Sequence, residues 1–192
     1  METIAKIDYV KDTFEEYLGK KDFYSASDLK NFLKSPRKFY WEKHRTKTSS
    51  ETERHFAIGS AVHEMVMEPE LFNKNYVVSE KIDRRTKAGK EEYAAFLEKA
   101  AGKTIIFENE MAMIREMSTS CKLNKTFLEL MEDCNYEISC YTADFKTGLS
   151  IRMRPDILPK NKDAIVDIKT CRESSLKGFK KDVYSFGYSI SG

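Results

Sequence analysis

The stretch RPDILPKNKDAIVDIKT, residues 154–170, determines the fold prediction. It places Asp156 directly after a proline and, eleven residues later, Asp167 two positions before a lysine. In an extended chain, alternation puts Ile165, Asp167 and Lys169 on one face and the intervening apolar residues on the other. Asp156 would lie just past the end of the preceding strand, because proline restricts the backbone there. A plain strand would carry Val or Thr at these charged positions, so the pattern indicates a site.

The two carboxylates would converge if the strands that carry them are neighbours in a hairpin. Close carboxylates repel, and desolvation raises the cost of charging both. A divalent cation removes that cost, and oxygen ligands suit Mg²⁺ or Mn²⁺. Lys169 beside such an ion could assist water and neutralise charge on a phosphoryl oxygen. The pattern is typical of phosphodiester hydrolysis, although a cross-strand Asp–Lys salt bridge on an exposed face fits the D-x-K tripeptide as well.

Length and composition limit the class of protein. The 192 residues suffice for one domain with a real core and are marginal for two, and 41% apolar with 33% charged residues is a globular mixture. No apolar run is long enough to cross a membrane, and the first residues lack an apolar signal core, so we expect a cytoplasmic protein with no membrane partner. The cysteines, none of which has C-x-x-C spacing, are predicted to be buried or idle thiols.

The net charge of +2 says little about partners, but basic residues crowd into residues 30–47 and 172–181. Such patches could meet phosphates, or they could be solvated faces. The predicted nucleic-acid contacts are Arg37, Lys38, Arg154 and Arg172.

The spacing of hydrophobic residues changes near residue 133, from a helical period to alternation or short apolar runs. Before it, helices are predicted at 2–19, 27–34 with Ser27 as N-cap, 36–44 after Ser35-Pro36, 57–68, 88–100 and 108–131, with one brief strand at 73–80. After it, three strands form a meander with a turn at DFKTG, and a helix follows at 174–187. We therefore predict a single α+β domain over 1–192, helical at 1–132 and sheet-forming at 133–192, with a mixed sheet flanked by helices.

Four motifs in this order resemble known nucleases. The spacing R-P-D, ten residues, D-I-K resembles the signature of the PD-(D/E)XK nuclease superfamily. IGSAVHEMV (58–66) resembles the G-x-x-x-H helix of its RecB-like and RecE-like branches. YSASDLKNFLKSPRKFYWEK (24–43) resembles the opening segment of the exodeoxyribonuclease VIII type of phages and prophages, and YEISCYTADFKTGLSIRMRPD (136–156) resembles its hairpin.

This resemblance implies a restriction-endonuclease-like fold and a Mg²⁺-dependent exonuclease that acts on ends of linear double-stranded DNA. The product would be single strands for recombination. It further implies a ring-shaped homo-oligomer, a single-strand annealing protein as a partner, and a phage or prophage gene expressed in the cytoplasm of a bacterial host. Ser35 stands where the first cysteine of an iron–sulphur cluster would lie in some RecB-like relatives, so no cluster is predicted.

The resemblance also assigns roles to residues of the candidate site. Lys169 would assist the water, and Glu137 would be an outer acidic member, with Asp144 as a possible rival. Glu64 could face the site only if His63 does not, because adjacent helical residues point apart. The implied metal ligands are His63, Asp156, Asp167 and the carbonyl of Ile168.

The C-terminal end departs from the family pattern. This branch usually continues after D-x-K into a helix with a Q-x-x-x-Y motif. Tyr184 and Tyr188 match the approach to that helix, but Ser191 stands where Gln is expected, and the Tyr would fall beyond Gly192. The chain is therefore expected to be a fragment of the usual domain or a shortened protein, which could hold all the metal ligands and still have weak or no activity. Two alternatives follow: a DNA- or protein-binding module without turnover, and an endonuclease of the same superfamily.

Overall fold

The computed structural model describes residues 6–44, 53–79, 82–83, 85–100, 102–161 and 163–188, with backbone only at 53–56. The predicted α+β class is confirmed. The elements follow in the order β1 (Asp8–Val10), α1 (Phe14–Gly19), α2 (Ala26–Lys34), α3 (Pro36–His44), α4 (Glu53–Met67), α5 (Pro69–Asn75), β2 (Tyr76–Ser79), α6 (Lys87–Lys99), β3 (Thr104–Phe107), α7 (Glu108–Leu123), α8 (Lys125–Met131), β4 (Cys134–Tyr136), β5 (Ser139–Ala143), β6 (Ser150–Met153), β7 (Ile157–Pro159) and α9 (Leu176–Phe186).

The chain divides into two compact units. The first contains the described residues within 1–48, 130–167 and 171–192, and the second those within 49–129 and 168–170. The first unit joins an N-terminal segment to the sheet-forming part of the chain, since β1 pairs with β5. Whether the chain is a single domain stays a prediction.

A long antiparallel hairpin organises the first unit. β5 pairs with β6, and β4 pairs with β7, in one continuous register. The hairpin is interrupted only where Glu137 adopts a left-handed φ of 47° opposite the R-P-D segment. Its turn is closed by the Gly148 N–H, which donates to the Asp144 carbonyl at 2.7 Å. Here the predicted turn and the predicted pairing of the first two strands are both found.

Further segments extend this hairpin on both sides. β1 lies antiparallel beside β5. On the other side, Tyr24 forms a parallel bridge to Ile151, and Val166 forms an antiparallel bridge to Ile157. Parallel and antiparallel partners therefore both border the hairpin, and the described strands form three small sheets, β1-β5-β6, β4-β7 and β2-β3.

Arg152 links α1 to the hairpin through hydrogen bonds. Its side chain is buried on β6 and donates from Nη1 to the carbonyls of Tyr17 and Lys20 at the end of α1. The guanidinium carbon also lies 4.7 Å from the centroid of the Tyr17 ring. The last carbonyls of a helix lack partners within the helix, so this buried cation satisfies them and fixes the position of α1.

The second unit is built on α4 and α7, with the parallel pair β2 and β3. Its core side chains include Ala61, Val62 and Val66 from α4, Ile114 from α7 and Ile106 from β3. The predicted helix around the G-x-x-x-H motif is thus confirmed, and its apolar face is buried.

Four local predictions were wrong. The predicted third strand of the meander, at 163–170, is reduced to the single bridge between Val166 and Ile157. Residues 2–19 do not form one helix in the described part, because residues 8–10 pair with β5 before Thr13 starts α1 with a capping box. The N-cap of α2 is Ser25 rather than Ser27, since Ser25 and Asp28 bond reciprocally. The predicted helix at 108–131 breaks at Asn124, whose side chain accepts from the N–H of Phe127.

Within the described residues, no helix has the length and apolar character that a bilayer crossing requires.

Candidate active site

Backbone pairing places the two key aspartates opposite each other. The Ile157 N–H donates to the Val166 carbonyl at 3.1 Å, and the Val166 N–H donates back at 3.0 Å. One step along this antiparallel register, Asp156 stands opposite Asp167. That step is a non-hydrogen-bonded position, where facing residues approach most closely, with Cα atoms about 4.5 Å apart. The register therefore sets two carboxylates on neighbouring extended segments, on one face of the sheet.

Burial follows the alternation expected from the sequence. Ile165, Asp167 and Lys169 are exposed, whereas Ile168 between them keeps only 8% of its surface accessible. Asp156 is half-buried. The apolar side of the segment is therefore directed inward, and the side that carries Asp167 faces solvent.

Glu137 borders Asp156 on the other side of the hairpin. Its backbone N–H donates to the Asp156 carbonyl at 3.0 Å. Its carboxylate accepts from Arg154 Nη2 at 2.9 Å. Glu137 thus has a structural ion pair at the kink of the hairpin, and its predicted role as an acidic member of the site stays a prediction.

The rival acidic residue, Asp144, is engaged in the hairpin turn. Its carboxylate accepts from the Thr147 hydroxyl at 2.6 Å and from the Thr147 N–H at 2.8 Å. These hydrogen bonds, the hydroxyl first, hold the pKa of Asp144 below its usual value. The residue therefore fixes the turn that leads into β6.

The side chain of Arg154 makes several hydrogen bonds within the first unit. Besides Glu137, its guanidinium donates to the Asp12 carbonyl at 2.9 Å and to Ser139 Oγ at 3.3 Å. Its side chain is 11% exposed. A phosphate contact by Arg154 would have to compete with these bonds, and the predicted DNA contact stays a prediction.

Sequence reasoning missed the polar cluster behind Arg154. The Asp12 carboxylate accepts from the Tyr141 hydroxyl and from Lys20 Nζ, the latter at 3.3 Å. The Tyr141 hydrogen bond is the main cause that lowers the pKa of Asp12. Lys20 also lies 4.0 Å from the centroid of the Tyr141 ring. No local sequence pattern predicts this cluster, because Asp12 and Tyr141 are 129 positions apart.

His63 and the end of the D-x-K motif belong to the second unit. A Cβ on Gly59 would meet Thr170 Oγ1 at 3.8 Å, so residues 168–170 run beside α4. His63 follows Gly59 by one helical turn and lies on the same face of α4.

Glu64, the neighbour of His63 in sequence, makes hydrogen bonds that connect elements of the second unit. The Glu64 carboxylate accepts from Asn75 Nδ2 at 2.8 Å and from the Tyr76 hydroxyl at 3.2 Å. Glu64 therefore joins α4 to the end of α5 and the start of β2. Of the two residues, His63 is the one whose face of α4 borders the D-x-K segment within this unit.

Comparison with models of known families extends this picture to most of the chain. Residues 25–192 match a PDDEXK-like domain of unknown function (DUF3799). The chain belongs to this family. The PDDEXK-like assignment supports the PD-(D/E)XK superfamily, the restriction-endonuclease-like fold and a nuclease-like hydrolase function. A comparison with curated proteins found no match.

PDDEXK-like nucleases generally use divalent metal ions, and the acidic pair fits such an ion. Mg²⁺ is usually held by one or two carboxylates, with waters and substrate phosphates completing its octahedron. The register supplies two carboxylates, Asp156 and Asp167, of which Asp167 is exposed. Within the described residues, no group of three or more His, Cys, Asp and Glu side chains is arranged to hold a metal. The two facing aspartates are the carboxylates that such an ion would share.

The other basic residues predicted to contact nucleic acid lie on the surface of this PDDEXK-like chain. Arg37 and Lys38 are exposed on α3, and Arg172 is exposed ahead of α9. The described cysteines range from the buried Cys140 to the exposed Cys171.

Proposed function

We propose that this protein is a metal-dependent exonuclease that hydrolyses phosphodiester bonds from the ends of linear double-stranded DNA, in the manner of the RecE-like branch. The observation that carries the proposal is the backbone register that sets Asp156 opposite Asp167. Membership of a PDDEXK-like family supports the nuclease class. The exonuclease mode rests on the resemblance of residues 24–43 to the exodeoxyribonuclease VIII type.

The acidic pair has a defined role in this proposal. Asp156 and Asp167 would hold Mg²⁺ or Mn²⁺, which supplies Lewis-acid stabilisation of charge on the phosphoryl group. Their negative charges make the pair selective for a cation, and the exposure of Asp167 leaves room for a substrate phosphate. Asn at either position would keep the shape of the side chain and remove that charge.

The remaining members of the site are proposed on sequence grounds. Lys169 is the D-x-K lysine, whose ammonium can hold charge on a phosphoryl oxygen or orient the attacking water. The carbonyl of Ile168 and the imidazole of His63 are proposed as further ligands. Glu137 is proposed as an outer acidic residue that keeps Arg154 in place.

Partners are proposed from the same resemblance. They are double-stranded DNA ends, a single-strand annealing protein and further copies of the chain in a ring, within the cytoplasm of a bacterial host that carries the phage or prophage gene.

A second candidate is a DNA- or protein-binding module with weak or no turnover. One observation favours it: the carboxylate of Glu137, which was predicted as an acidic member of the site, is held by Arg154 Nη2 at 2.9 Å. With the two aspartates as its carboxylates, the metal affinity of the site would depend strongly on the bound phosphate.

The activity test uses end-labelled linear duplex with Mg²⁺, with Mn²⁺ and with EDTA. We expect nucleotides to be released with metal, none to be released in EDTA, and Asp167→Asn to lose at least about 100-fold in rate. That loss should exceed the 10- to 100-fold cost of removing an indirect metal partner. Asp163→Asn, an exposed carboxylate outside the pair, is the matched control and should keep full activity.

A second measurement separates the two candidates. Mg²⁺ at 100-fold excess over Kd should raise the free energy of unfolding of the wild type by about 2.7 kcal/mol and so raise its melting temperature. Asp156→Asn should abolish the rise. A metal-dependent rise without nucleotide release supports the module. Cleavage that continues in EDTA and in Asp167→Asn contradicts the exonuclease.

A further inference from the structure

The outer face of α3 carries an unusual combination of residues. The inner face packs on α2 and the segment before it: the Phe39 ring lies 5.7 Å from the Phe32 ring and 6.3 Å from that of Tyr24. Lys43 Nζ, also on the inner face, pairs with Asp28 at 3.0 Å. The opposite face of α3 is therefore directed away from this packing.

Two large aromatic side chains lie towards solvent there. Tyr40 and Trp41 each keep 65% of their surface accessible. Arg37 precedes Trp41 by four residues and Lys38 precedes it by three, so both basic side chains neighbour the indole on the helix surface. Arg37, Lys38 and Trp41 line a groove of about 440 Å³, together with Ser35 and Glu42.

The charge of the groove is positive. Its lining holds two basic residues, Arg37 and Lys38, and one acidic residue, Glu42. Glu42 is itself compensated, since Lys38 Nζ lies 3.6 Å from it and Asn31 Nδ2 donates to it at 3.3 Å. An anion that reaches the groove would meet Arg37 and Lys38 beside an exposed aromatic face.

We propose that this groove binds single-stranded nucleic acid, with a base stacked on Trp41 and the adjacent phosphates held by Arg37 and Lys38. A positive groove with exposed aromatic rings is how proteins hold single strands without reading their sequence, because every base offers a π-face. Duplex DNA keeps its bases stacked inside the helix, so only an unpaired strand can use the indole. The inference rests on the proposed function, because it takes DNA as the ligand, and it adds a site for the single-stranded product.

The chain offers a direct probe, since Trp41 is its only tryptophan. Titration of the protein in EDTA with an oligothymidylate of about 15 nucleotides should quench the intrinsic fluorescence in a saturable manner, and raised salt should reverse it. Binding of the same oligonucleotide, labelled and followed by anisotropy, should give the same Kd. Duplex of equal length should quench much less.

Variants separate stacking from charge. Trp41→Leu should weaken anisotropy-detected binding about 5- to 150-fold, which corresponds to ~1–3 kcal/mol per stacked base, and Trp41→Phe should restore most of it. Arg37→Glu with Lys38→Glu should weaken binding further and flatten its salt dependence. Tyr9→Leu, which removes a ring on β1 that is 57% exposed, is the matched control and should bind as the wild type does.

The proposal is overturned if the oligonucleotide saturates the anisotropy signal without changing tryptophan emission, or if Trp41→Leu binds as tightly as the wild type with an unchanged circular dichroism spectrum. Failure to bind any oligonucleotide would also overturn it and would leave a protein partner as the occupant of this face. Because EDTA removes hydrolysis from these measurements, the exonuclease proposal fails or stands separately in the cleavage assay.

Discussion

Arg154 is the residue that connects the motif to the rest of the first unit. Its guanidinium reaches Glu137, the Asp12 carbonyl and Ser139, and so ties the kink of the hairpin to the segment before α1. The next two positions along the chain are a proline and Asp156. The position of the first aspartate therefore depends on an arginine that sequence reasoning assigned to DNA.

Replacing Arg154 tests this structural role. Arg154→Met should lower the free energy of unfolding by ~1.5–3 kcal/mol, because it removes charged hydrogen bonds in a poorly solvated place. Chemical denaturation of wild type and variant measures the change. Arg172→Met, at an exposed position, is the control and should change stability by less than about 0.5 kcal/mol. Equal stability of Arg154→Met and wild type would contradict the structural role.

At the scale of elements, the packing of α3 on α2 depends on the ion pair between Lys43 and Asp28. Asp28 also forms the hydrogen-bonded cap at the start of α2 with Ser25. Burial, the largest influence, raises the pKa of Asp28, but hydrogen bonds from the Ser25 N–H and from Lys43 outweigh it and leave the pKa below its usual value. A carboxyl whose pKa is lower in the folded than in the unfolded state stabilises the fold above the unfolded pKa, near 3.9. That stability is lost as the pH falls through the lowered, folded value.

This linkage gives a pH-dependent prediction. Asp28→Ala should cost ~1–3 kcal/mol at pH 7, because it removes the cap and leaves the buried Lys43 unpaired. The difference in free energy of unfolding between wild type and variant should narrow below about pH 3.9, because Asp28 then takes up a proton in the unfolded chain and, at still lower pH, in the folded one. Urea unfolding at several pH values measures both. A difference in free energy of unfolding that stays constant down to about pH 2 would contradict this explanation. Asp8→Ala, at an exposed site, is the control and should show no comparable difference from the wild type.

The β5–β6 turn makes a second prediction for an element. Gly148 has a φ of 71°, a left-handed conformation that costs other residues ~1–2 kcal/mol. Gly148→Ala should be destabilising by that amount in thermal or chemical unfolding. Gly19→Ala is the matched control, because a Cβ there meets nothing within 4 Å and no positive φ is present. It should be neutral or slightly stabilising.

At the scale of the whole molecule, the first unit is assembled from three separate stretches of chain and the second from two. The D-x-K motif crosses between them, with Asp167 in the first and residues 168–170 in the second. Short sequence motifs can therefore span structural units, and the motif alone does not define how its members are supported.

The ring predicted by resemblance is also a property of the whole molecule. Light scattering on purified protein, with and without linear duplex, should give a mass that is a whole-number multiple of 22.3 kDa greater than one. The exposed apolar side chains of α9, including Leu176 and Phe179, are the kind that assembly buries. A mass of one chain under all conditions, at concentrations where DNA is bound, would contradict the ring.

The sequence by itself determined the local features. Helices around the S-P and G-x-x-x-H motifs, the hairpin turn, and the alternation of exposed and buried residues near Asp167 all follow from propensities and periods within a few residues. These patterns were sufficient for the α+β class and for proposing the two aspartates.

Tertiary structure decided what depends on partners far apart in the chain. Residues 8–10 became a strand because β5 was available beside them, and Arg154 turned inward because Asp12 and Ser139 accept its hydrogen bonds. The facing of Asp156 and Asp167 likewise depends on which segments pair and in which register. Local propensity cannot fix such pairings, since their free energy comes from burial and hydrogen bonds that form only once the distant segments meet.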